Sequence, residues 1–326
     1  MHCEAQTGKP LDFRTLSMPD LNQPGRVGGS REGLLLGAKN ALVAIPVRGE
    51  LLPLSDHSEG LWVNSGRLVT GQKVSAEEYR LSGVELPGGG SLWQVILGYS
   101  TLLGVEQGVV YVATPSGVMA INCESGQTLW TNPAVIGVNA HFLSRQALLV
   151  SAANSGVVHW LDLANGKSLR QVKTNDENMR ILVLASDGET TLVVTRRVAV
   201  SGYGPKSDQP LWSLPLSSEE HDSELVAYQD GIVLVPLENE TQAIELKTGK
   251  RLWKGPLSLG VVAVSQGVAL LTLARAELGE SSLEARELAS GKKLWSRVCQ
   301  GKSTGVSGVD QGFLIVSPSI QEAVGF

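Results

Sequence analysis

Several hallmarks of metal sites and membrane spans are scarce or missing in this sequence. The 326 residues include only three cysteines, Cys3, Cys123 and Cys299, which lack the paired spacing of a zinc site. No loop alternates Asp or Asn with glycine in the manner of a calcium site. No apolar run approaches the roughly 20 residues that cross a bilayer as a helix. We therefore expect no metal and no membrane span. Free thiols are the default, with a Cys3–Cys299 disulfide as an open alternative.

An excess of positive charge is also missing. The chain has 27 Lys and Arg against 32 Asp and Glu, which gives a formal net charge of −5, and only 18% of its residues are charged. Nucleic-acid-binding domains instead carry basic patches interleaved with aromatic residues. Nucleic acid is therefore not an expected partner, while 42% hydrophobic residues suffice to build a core.

The N-terminus lacks a recognisable secretory signal. Met1–Pro10 has neither the basic stretch nor the apolar stretch that signal peptides contain. Because the chain begins where a strand is expected, we favour a processed or trimmed chain. A cytoplasmic protein is the alternative.

What the sequence does contain is an eightfold repeat. A leucine stands directly before a fixed anchor position, and a turn-forming residue stands four places before that anchor. The anchors are Asp12, Pro53, Trp93, Trp130, Arg170, Trp212, Trp253 and Trp295, and the turn residues are Gly8, Gly49, Gly89, Gly126, Gly166, Asp208, Gly249 and Gly291. Successive anchors are 37 to 42 residues apart, which is typical of one four-stranded propeller blade.

The segments between the anchors predict strands. They are short runs of Val, Ile and Leu, cut by Gly, Pro, Asn and Ser, without helical periodicity. The runs expected to form buried central strands are Val109–Thr114, Ala147–Ala152, Leu192–Val194, Gly231–Val235, Val268–Leu273 and Gly312–Val316. The predicted fold class is all-β, an eight-bladed β-propeller of four-stranded antiparallel blades, in a single domain over residues 1–326.

The two ends of the chain predict how the ring closes. After Trp295, 31 residues remain, and with the 12 residues up to the first anchor they make 43, one further period. An open propeller would expose unpaired strand edges, which closure by the other terminus removes. We therefore predict that Met1–Leu16 supplies outer strands of the last blade and pairs with inner strands from about Gly305 to Val316.

Each position of the repeat has an expected structural role. The glycine suits a tight turn with positive φ, which aspartate also tolerates. The leucine is expected to point between neighbouring blades, and the tryptophan to lie across the adjacent blade. The predicted blade-docking residues are Trp93, Trp130, Trp212, Trp253 and Trp295.

Polar side chains eight places before the anchors are expected to accept hydrogen bonds from the turn. These residues are Glu4, Glu85, Asn122, Asp162, Glu245 and Glu287. The alternative is that they are ordinary surface residues.

The segments Met119–Trp130, Ala243–Trp253 and Ala285–Trp295 resemble the PQQ-like, or quinoprotein-type, propeller repeat, written Ala-x-Asp-x-x-Thr-Gly-x-x-x-Trp. This chain departs from that repeat at Asp12, Pro53 and Arg170, which replace its tryptophan. We expect those three blade interfaces to be docked less tightly.

The resemblance has two functional branches. Quinoprotein dehydrogenases bind pyrroloquinoline quinone over calcium, carry long insertions between blades and commonly pair adjacent cysteines. This sequence has neither the insertions nor the adjacent cysteines. The compact branch, which includes the outer-membrane protein assembly factor BamB, consists of scaffolds that bind other proteins.

The resemblance therefore implies a monomeric, non-enzymatic scaffold that binds other proteins, in the periplasm or cell envelope, possessing no cofactor and no catalytic residue. A role in outer-membrane protein assembly is the specific expectation. A PQQ-dependent dehydrogenase and a ligand-sensing domain with its pocket in the axial channel are the alternatives.

Two surfaces are candidate partner sites. Four carboxylates, Glu219, Glu220, Asp222 and Glu224, lie within six residues. They form either a solvated connection or a docking surface for a basic partner. The outer edges, such as Gln127–Thr131 and Arg251–Lys254, are the second candidate, for an extended peptide added as a strand.

Overall fold

A computed structural model describes residues 2–7, 10–12, 27–30, 33–38, 41–46, 52–55, 59–64, 66–86, 89–152, 155–174, 181–195, 199–215, 227–237, 240–256, 263–275, 280–299, 305–309 and 312–316. All regular structure in these residues is β-strand. The described strands form eight four-stranded sheets, which we call blades 1 to 8.

The strands follow the chain blade by blade. The chain opens with β1 (His2–Cys3) and β2 (Pro10–Asp12). Blade 1 contains β3 (Val27–Ser30), β4 (Gly33–Ala38), β5 (Ala41–Pro46) and β6 (Leu52–Ser55). Blade 2 contains β7 (Glu59–Asn64), β8 (Arg67–Lys73), β9 (Tyr79–Glu85) and β10 (Ser91–Leu97). Blade 3 contains β11 (Thr101–Glu106), β12 (Val109–Thr114), β13 (Gly117–Asn122) and β14 (Thr128–Asn132).

The later blades repeat this order. Blade 4 contains β15 (Val138–Leu143), β16 (Ala147–Ala152), β17 (Val157–Asp162) and β18 (Ser168–Lys173). Blade 5 contains β19 (Ile181–Ser186), β20 (Thr191–Thr195), β21 (Ala199–Tyr203) and β22 (Pro210–Pro215). Blade 6 contains β23 (Ala227–Gln229), β24 (Ile232–Leu237), β25 (Glu240–Glu245) and β26 (Arg251–Pro256). Blade 7 contains β27 (Ala263–Ser265), β28 (Val268–Arg275), β29 (Glu280–Glu287) and β30 (Lys293–Cys299). The last strands are β31 (Gly305–Val309) and β32 (Gly312–Val316).

Blade 8 joins the two ends of the chain. Its strand order is β2-β1-β32-β31, with His2 opposite Leu314 and Cys3 opposite Phe313. The pairing is antiparallel, as it is within the other blades. The predicted closure by the N-terminal strands is therefore confirmed.

The first strands of successive blades lie against one another. Contacts join β3 to β7, β7 to β11, β11 to β15 and β15 to β19, and then β23 to β27, β27 to β31 and β31 to β3. Blades 5 and 6 share a hydrophobic cluster that includes Val194 and Val235. The blades thus follow one another in a ring with their first strands innermost, and the predicted all-β propeller fold is confirmed.

The hydrophobic core lies between blades. Val69 and Leu81 of blade 2 pack with Val110 and Ile121 of blade 3, all at or near zero exposure. The second strands carry most of this core, because continuous apolar runs suit strands that are buried on both faces. The predicted central strands correspond to β12, β16, β20, β24, β28 and β32.

Within the described residues, we find no helix with the length and apolarity that crossing a membrane requires.

Candidate functional site

In blades 2, 3, 4, 6 and 7 the turn before the outer strand depends on glycine. Gly126 has φ of 71° and donates its amide to the Asn122 carbonyl at 2.9 Å. Gly89, Gly166, Gly249 and Gly291 repeat this geometry with φ of 69° to 72°. Asp208 is not among the described residues with positive φ. The expectation that aspartate takes the same conformation was therefore wrong.

Five of the six side chains eight places before the anchors bind the turn, in two ways, and Glu4 does so by accepting from the Thr7 hydroxyl. Asn122 and Asp162 accept hydrogen bonds at 2.7 to 3.2 Å from the amides two and three residues further on. Glu245 and Glu287 accept instead from the hydroxyl three residues further on, Thr248 and Ser290 respectively. The short Asx side chain reaches the backbone, whereas the longer Glu side chain meets a hydroxyl.

Five of the repeated leucines, Leu92, Leu129, Leu169, Leu211 and Leu252, are exposed and do not point between blades as predicted, whereas Leu294 packs against the hydrophobic cluster shared by blades 7 and 8. In blade 3, Trp130 lies opposite Ala120 and Thr128 lies opposite Ile121, so Leu129 is an extra residue on the outer strand. This is a β-bulge, which re-aims the residue after it. Leu129 is 51% exposed.

The same bulge recurs around the ring. The extra residues are Leu11, Leu92, Leu169, Leu211, Leu252 and Leu294. Blade 1 differs, because Leu52 lies opposite Ala44 and Pro53 opposite Val43 in regular register. In the bulged blades, the extra residue re-aims the anchor side chain that follows it.

The structure places all five predicted docking tryptophans at blade interfaces. The Trp130 indole Nε1 donates to the Leu163 carbonyl of blade 4 at 2.9 Å. The equivalent bonds run from Trp93 to Cys123, Trp212 to Leu246, Trp253 to Leu288 and Trp295 to Ala5, at 2.7 to 2.9 Å. The bond from Trp295 fastens the N-terminal segment to blade 7.

The tryptophan ring also explains the next blade's glycine. A Cβ added to Gly166 would lie 2.4 Å from Cε3 of Trp130. Added Cβ atoms at Gly126, Gly249 and Gly291 would lie 2.4 to 2.8 Å from the preceding blade's tryptophan. Positive φ and the close ring thus both require glycine.

Arg170 forms a different link between blades 4 and 5. Its Nη2 donates to the Ser207 carbonyl, and its guanidinium lies 4.8 Å from the centre of the Trp160 ring. Burial lowers the pKa of Arg170, and nearby Asp208 opposes that shift. At this interface, a hydrogen bond from an arginine replaces the hydrogen bond from a tryptophan indole. The side chains at Asp12 and Pro53 lie outside the described residues, so looser docking there stays a prediction.

An ion cluster lies on the outer strands of blade 7. The Glu284 carboxylate, in a residue that is 7% exposed, meets Arg286 Nη2 at 2.6 Å and Lys293 Nζ at 3.0 Å. Burial alone would raise the pKa of Glu284, but hydrogen bonds from Lys293 and Arg286 outweigh it and lower the pKa. Arg286 also donates to the Gly291 carbonyl at 2.8 Å. The cluster therefore holds the turn on which Trp253 rests.

Two residue types with reactive side chains, one buried cysteine and one half-buried histidine, lie in the described strands and turns. Cys123 is a free, fully buried thiol. Burial raises its pKa to about 12, with Arg67 lowering and Glu124 raising it further. Burial lowers the pKa of His159. Within the described residues, no hydrogen bond joins either side chain to an acid or a base.

The four loop carboxylates Glu219, Glu220, Asp222 and Glu224 lie outside the described residues. The part of the chain that the structure describes contains no group of three or more His, Cys, Asp or Glu side chains arranged to hold a metal ion. The candidate functional surface among the described residues is the outer rim formed by strands β2, β6, β10, β14, β18, β22, β26 and β30, each of which is the outer edge of its sheet.

Comparisons with known proteins agree with this architecture. A family model described as "Outer membrane protein assembly factor BamB" matches residues 77–184 and 154–321. The crystal structure of BamB from Moraxella catarrhalis is similar with a TM-score of 0.56 and 17% identity, over 76% of this chain and 78% of that one.

A computationally designed protein, Ika8, is similar with a TM-score of 0.63 and 18% identity, over 86% of this chain and 88% of its own. At these identities the two structures show the shared fold. No curated protein matches the chain. The family model spans most of the sequence, and the chain therefore belongs to the PQQ-like propeller family of the outer membrane protein assembly factor BamB.

Proposed function

We propose that this chain is a non-enzymatic, single-domain and monomeric scaffold that binds other proteins in the bacterial cell envelope, in the assembly of outer-membrane proteins. The observation that carries the proposal is the family match over residues 77–184 and 154–321. Within the described residues the connections between strands are short, which leaves rims and edges as the main binding surfaces.

The scaffold needs only rigidity and exposed edges. Each described Trp–Gly interface joins one blade to the next, so a surface formed by several blades keeps its shape. A preformed surface binds a partner without a large ordering cost. The acidic residues Glu219, Glu220, Asp222 and Glu224 are proposed to speed the encounter with a basic partner.

Partner capture tests the proposal. The tagged chain is cross-linked in intact cells of its native bacterium, and the linked proteins are identified by mass spectrometry. We expect a small, reproducible set of envelope proteins. Recovery of cytoplasmic proteins alone, or of none above an untagged control, would contradict it.

Enzyme assays distinguish the proposed scaffold from the main alternative, a quinoprotein dehydrogenase. Purified chain is mixed with pyrroloquinoline quinone, calcium and a series of alcohols and sugars, and dye reduction is followed. We expect no rate above that of heat-unfolded chain. Substrate-dependent turnover would instead support a quinoprotein dehydrogenase. Binding of a small molecule without turnover would support a sensor.

A further inference from the structure

The outer edges of blades 6 and 7 concentrate positive charge in an acidic protein. Residues 246–256 and 288–299 contain seven Lys and Arg and no Asp or Glu, although the whole chain has a net charge of −5. The corresponding residues of blades 2 and 3, 86–97 and 123–132, contain no Lys or Arg. The corresponding residues of blade 4, 163–173, contain three Lys and Arg and no Asp or Glu. The charge is therefore not common to all blades, and blades 6 and 7 are the neighbouring pair that carries it.

The interface geometry makes the two edges one surface. The Trp253 ring of blade 6 lies on the turn of blade 7, where an added Cβ at Gly291 would lie 2.5 Å from Cγ of Trp253. Lys254 follows this tryptophan and Lys292 follows this glycine. The basic residues of the two blades consequently flank a shared contact. We call Lys250, Arg251, Lys254 and Lys292 the basic rim.

Most of these basic side chains are not neutralised by a strong ion pair within the described residues. Lys254 Nζ lies 3.1 Å from Glu240, and exposed ion pairs of this kind contribute little. Lys250, Arg251 and Lys292 are exposed and have no ion pair among the described residues. Lys293, by contrast, is committed to the buried Glu284. The rim therefore holds cations that are available to an external partner.

The shape of the rim favours a polypeptide. Strand β26 is the free edge of its sheet, and such an edge presents outward N–H and C=O groups to a further strand. Alternate side chains on an extended segment are roughly 7 Å apart, which matches cations spread along a strand. Leu252 stands among these cations at 36% exposure. Nucleic acid is disfavoured because Trp253 is only 8% exposed and offers no face for a base to stack on.

We propose that the basic rim binds an acidic, extended segment of a partner polypeptide. The inference rests on the proposed scaffold function and names the surface and the chemistry of one partner. Its attraction is electrostatic, so binding weakens as salt screens the charges.

A synthetic peptide tests the rim directly. The probe is a fluorescent 12-residue peptide of alternating Glu and Thr, with a Lys and Thr peptide of the same length for comparison. Affinity for the full chain is measured by anisotropy at low salt and at about 150 mM salt. We expect binding of the acidic peptide only, and weaker binding at the higher salt.

Matched variants locate the binding. Lys250→Glu with Lys292→Glu is compared with Arg145→Glu with Lys206→Glu, which makes the same change in net charge at exposed positions elsewhere. We expect the rim variant to lose about tenfold or more in affinity and the control to lose less than about twofold. Should the Glu variant melt below the wild type, Lys250→Gln with Lys292→Gln replaces it.

Three outcomes overturn the inference. The wild type binds no acidic peptide, or the two variants lose affinity equally, or the rim variant loses binding only to anionic phospholipid vesicles or to a single-stranded oligonucleotide. Cross-linking with the rim variant separates this inference from the scaffold function. If its envelope partners are unchanged, the rim assignment fails and the scaffold stands. If even the wild type captures none, the scaffold function fails.

Discussion

Blade 4 is joined to its two neighbours by different chemistry. On one side, Trp130 of blade 3 rests on Gly166. On the other, Arg170 of blade 4 donates to the Ser207 carbonyl, next to a turn that carries Asp208 in place of glycine. At this interface both the ring and the glycine are replaced, whereas Gly49 and Gly89 remain in the blades that follow Asp12 and Pro53. The comparison indicates that an anchor tryptophan requires glycine in the following blade's turn, a pairing that we call the Trp–Gly unit, although the glycine also occurs without the ring.

The two links differ in the surface that they bury. A tryptophan removes roughly 150–250 Å² from water and also satisfies a carbonyl of the next blade. Arg170 keeps a charge that must stay partly hydrated, and it lies over Trp160 of its own blade. The indole side of blade 4 is therefore expected to be the more stable one. Three experiments test that contrast, and a fourth tests the ion cluster of blade 7.

Removing the indole has the largest expected effect. Trp130→Ala is predicted to lower the free energy of unfolding by about 3–5 kcal/mol, as a buried aromatic truncation does, and Trp253→Ala by a similar amount. Urea unfolding measures both. Trp130→Phe, which loses the donor to Leu163 but keeps an aromatic ring, should cost about 1–2 kcal/mol. A loss below about 1 kcal/mol for the alanine variant would show that the ring is not wedged between blades.

Filling the space under the Trp130 ring has the second-largest expected effect. Gly166→Ala is predicted to cost about 2–4 kcal/mol, because it combines positive φ with a contact of 2.4 Å to the Trp130 ring. Gly90 is the control, since an added Cβ meets nothing within 4 Å. Gly90→Ala should change stability by less than about 0.5 kcal/mol. An equal loss of stability in both alanine variants would show that the Trp130 ring does not restrict the space at Gly166.

The polar side of blade 4 offers a test of the unit itself. Arg170→Trp alone is predicted to destabilise the protein by about 1–3 kcal/mol, because the Cβ of Asp208 occupies the space that the ring needs. Adding Asp208→Gly should recover stability, with a coupling energy of at least about 1 kcal/mol in the double-mutant cycle. Strictly additive effects would show that the two positions act independently.

The smallest effect concerns pH and the ion cluster of blade 7. The pKa of Glu284 is lowered in the fold from an ordinary value of about 4.3. Its ionised form therefore stabilises the protein above the unfolded pKa, and that contribution is lost as pH falls through the folded pKa.

Glu284→Gln should consequently flatten the acid loss of stability below about pH 4.3. At neutral pH it should cost about 1 kcal/mol, since the amide oxygen still accepts a hydrogen bond. Thermal melting across the acid range measures the change, with Glu77→Gln on an exposed turn as the control. If Glu284→Gln loses stability at acid pH to the same extent as the wild type, the Glu284 carboxylate is not held by Arg286 and Lys293.

The sequence alone predicted what the repeat encodes. Glycine spacing, buried apolar runs and the length of the two ends were sufficient for the turns, the central strands and the closure of blade 8. The exposed leucines were placed wrongly, because a bulge adds one residue and reverses the face on which the next side chains lie. Register of this kind depends on the neighbouring strand, which local pattern does not specify.

Contacts between distant residues were also beyond the sequence. Nothing near Arg170 in the sequence identifies Ser207, 37 residues further along the chain, as its acceptor. In the sequence, the residues of the basic rim are only scattered Lys and Arg. They form one surface because Trp253 of blade 6 lies on Gly291 of blade 7. These features arise from packing between blades.

Closure of the ring is tested most directly by a disulfide across blade 8. In a chain whose native cysteines are replaced by serine, His2→Cys and Leu314→Cys place thiols on residues that lie opposite each other in antiparallel strands. Such pairs have Cα atoms about 4.5–5.5 Å apart, within the range of a disulfide. We predict nearly complete cross-linking on mild oxidation, seen as joined peptides by mass spectrometry, and little with the one-residue shift to Ile315. Absence of the cross-link, or equal yield from both pairs, would contradict closure by the N-terminal strands.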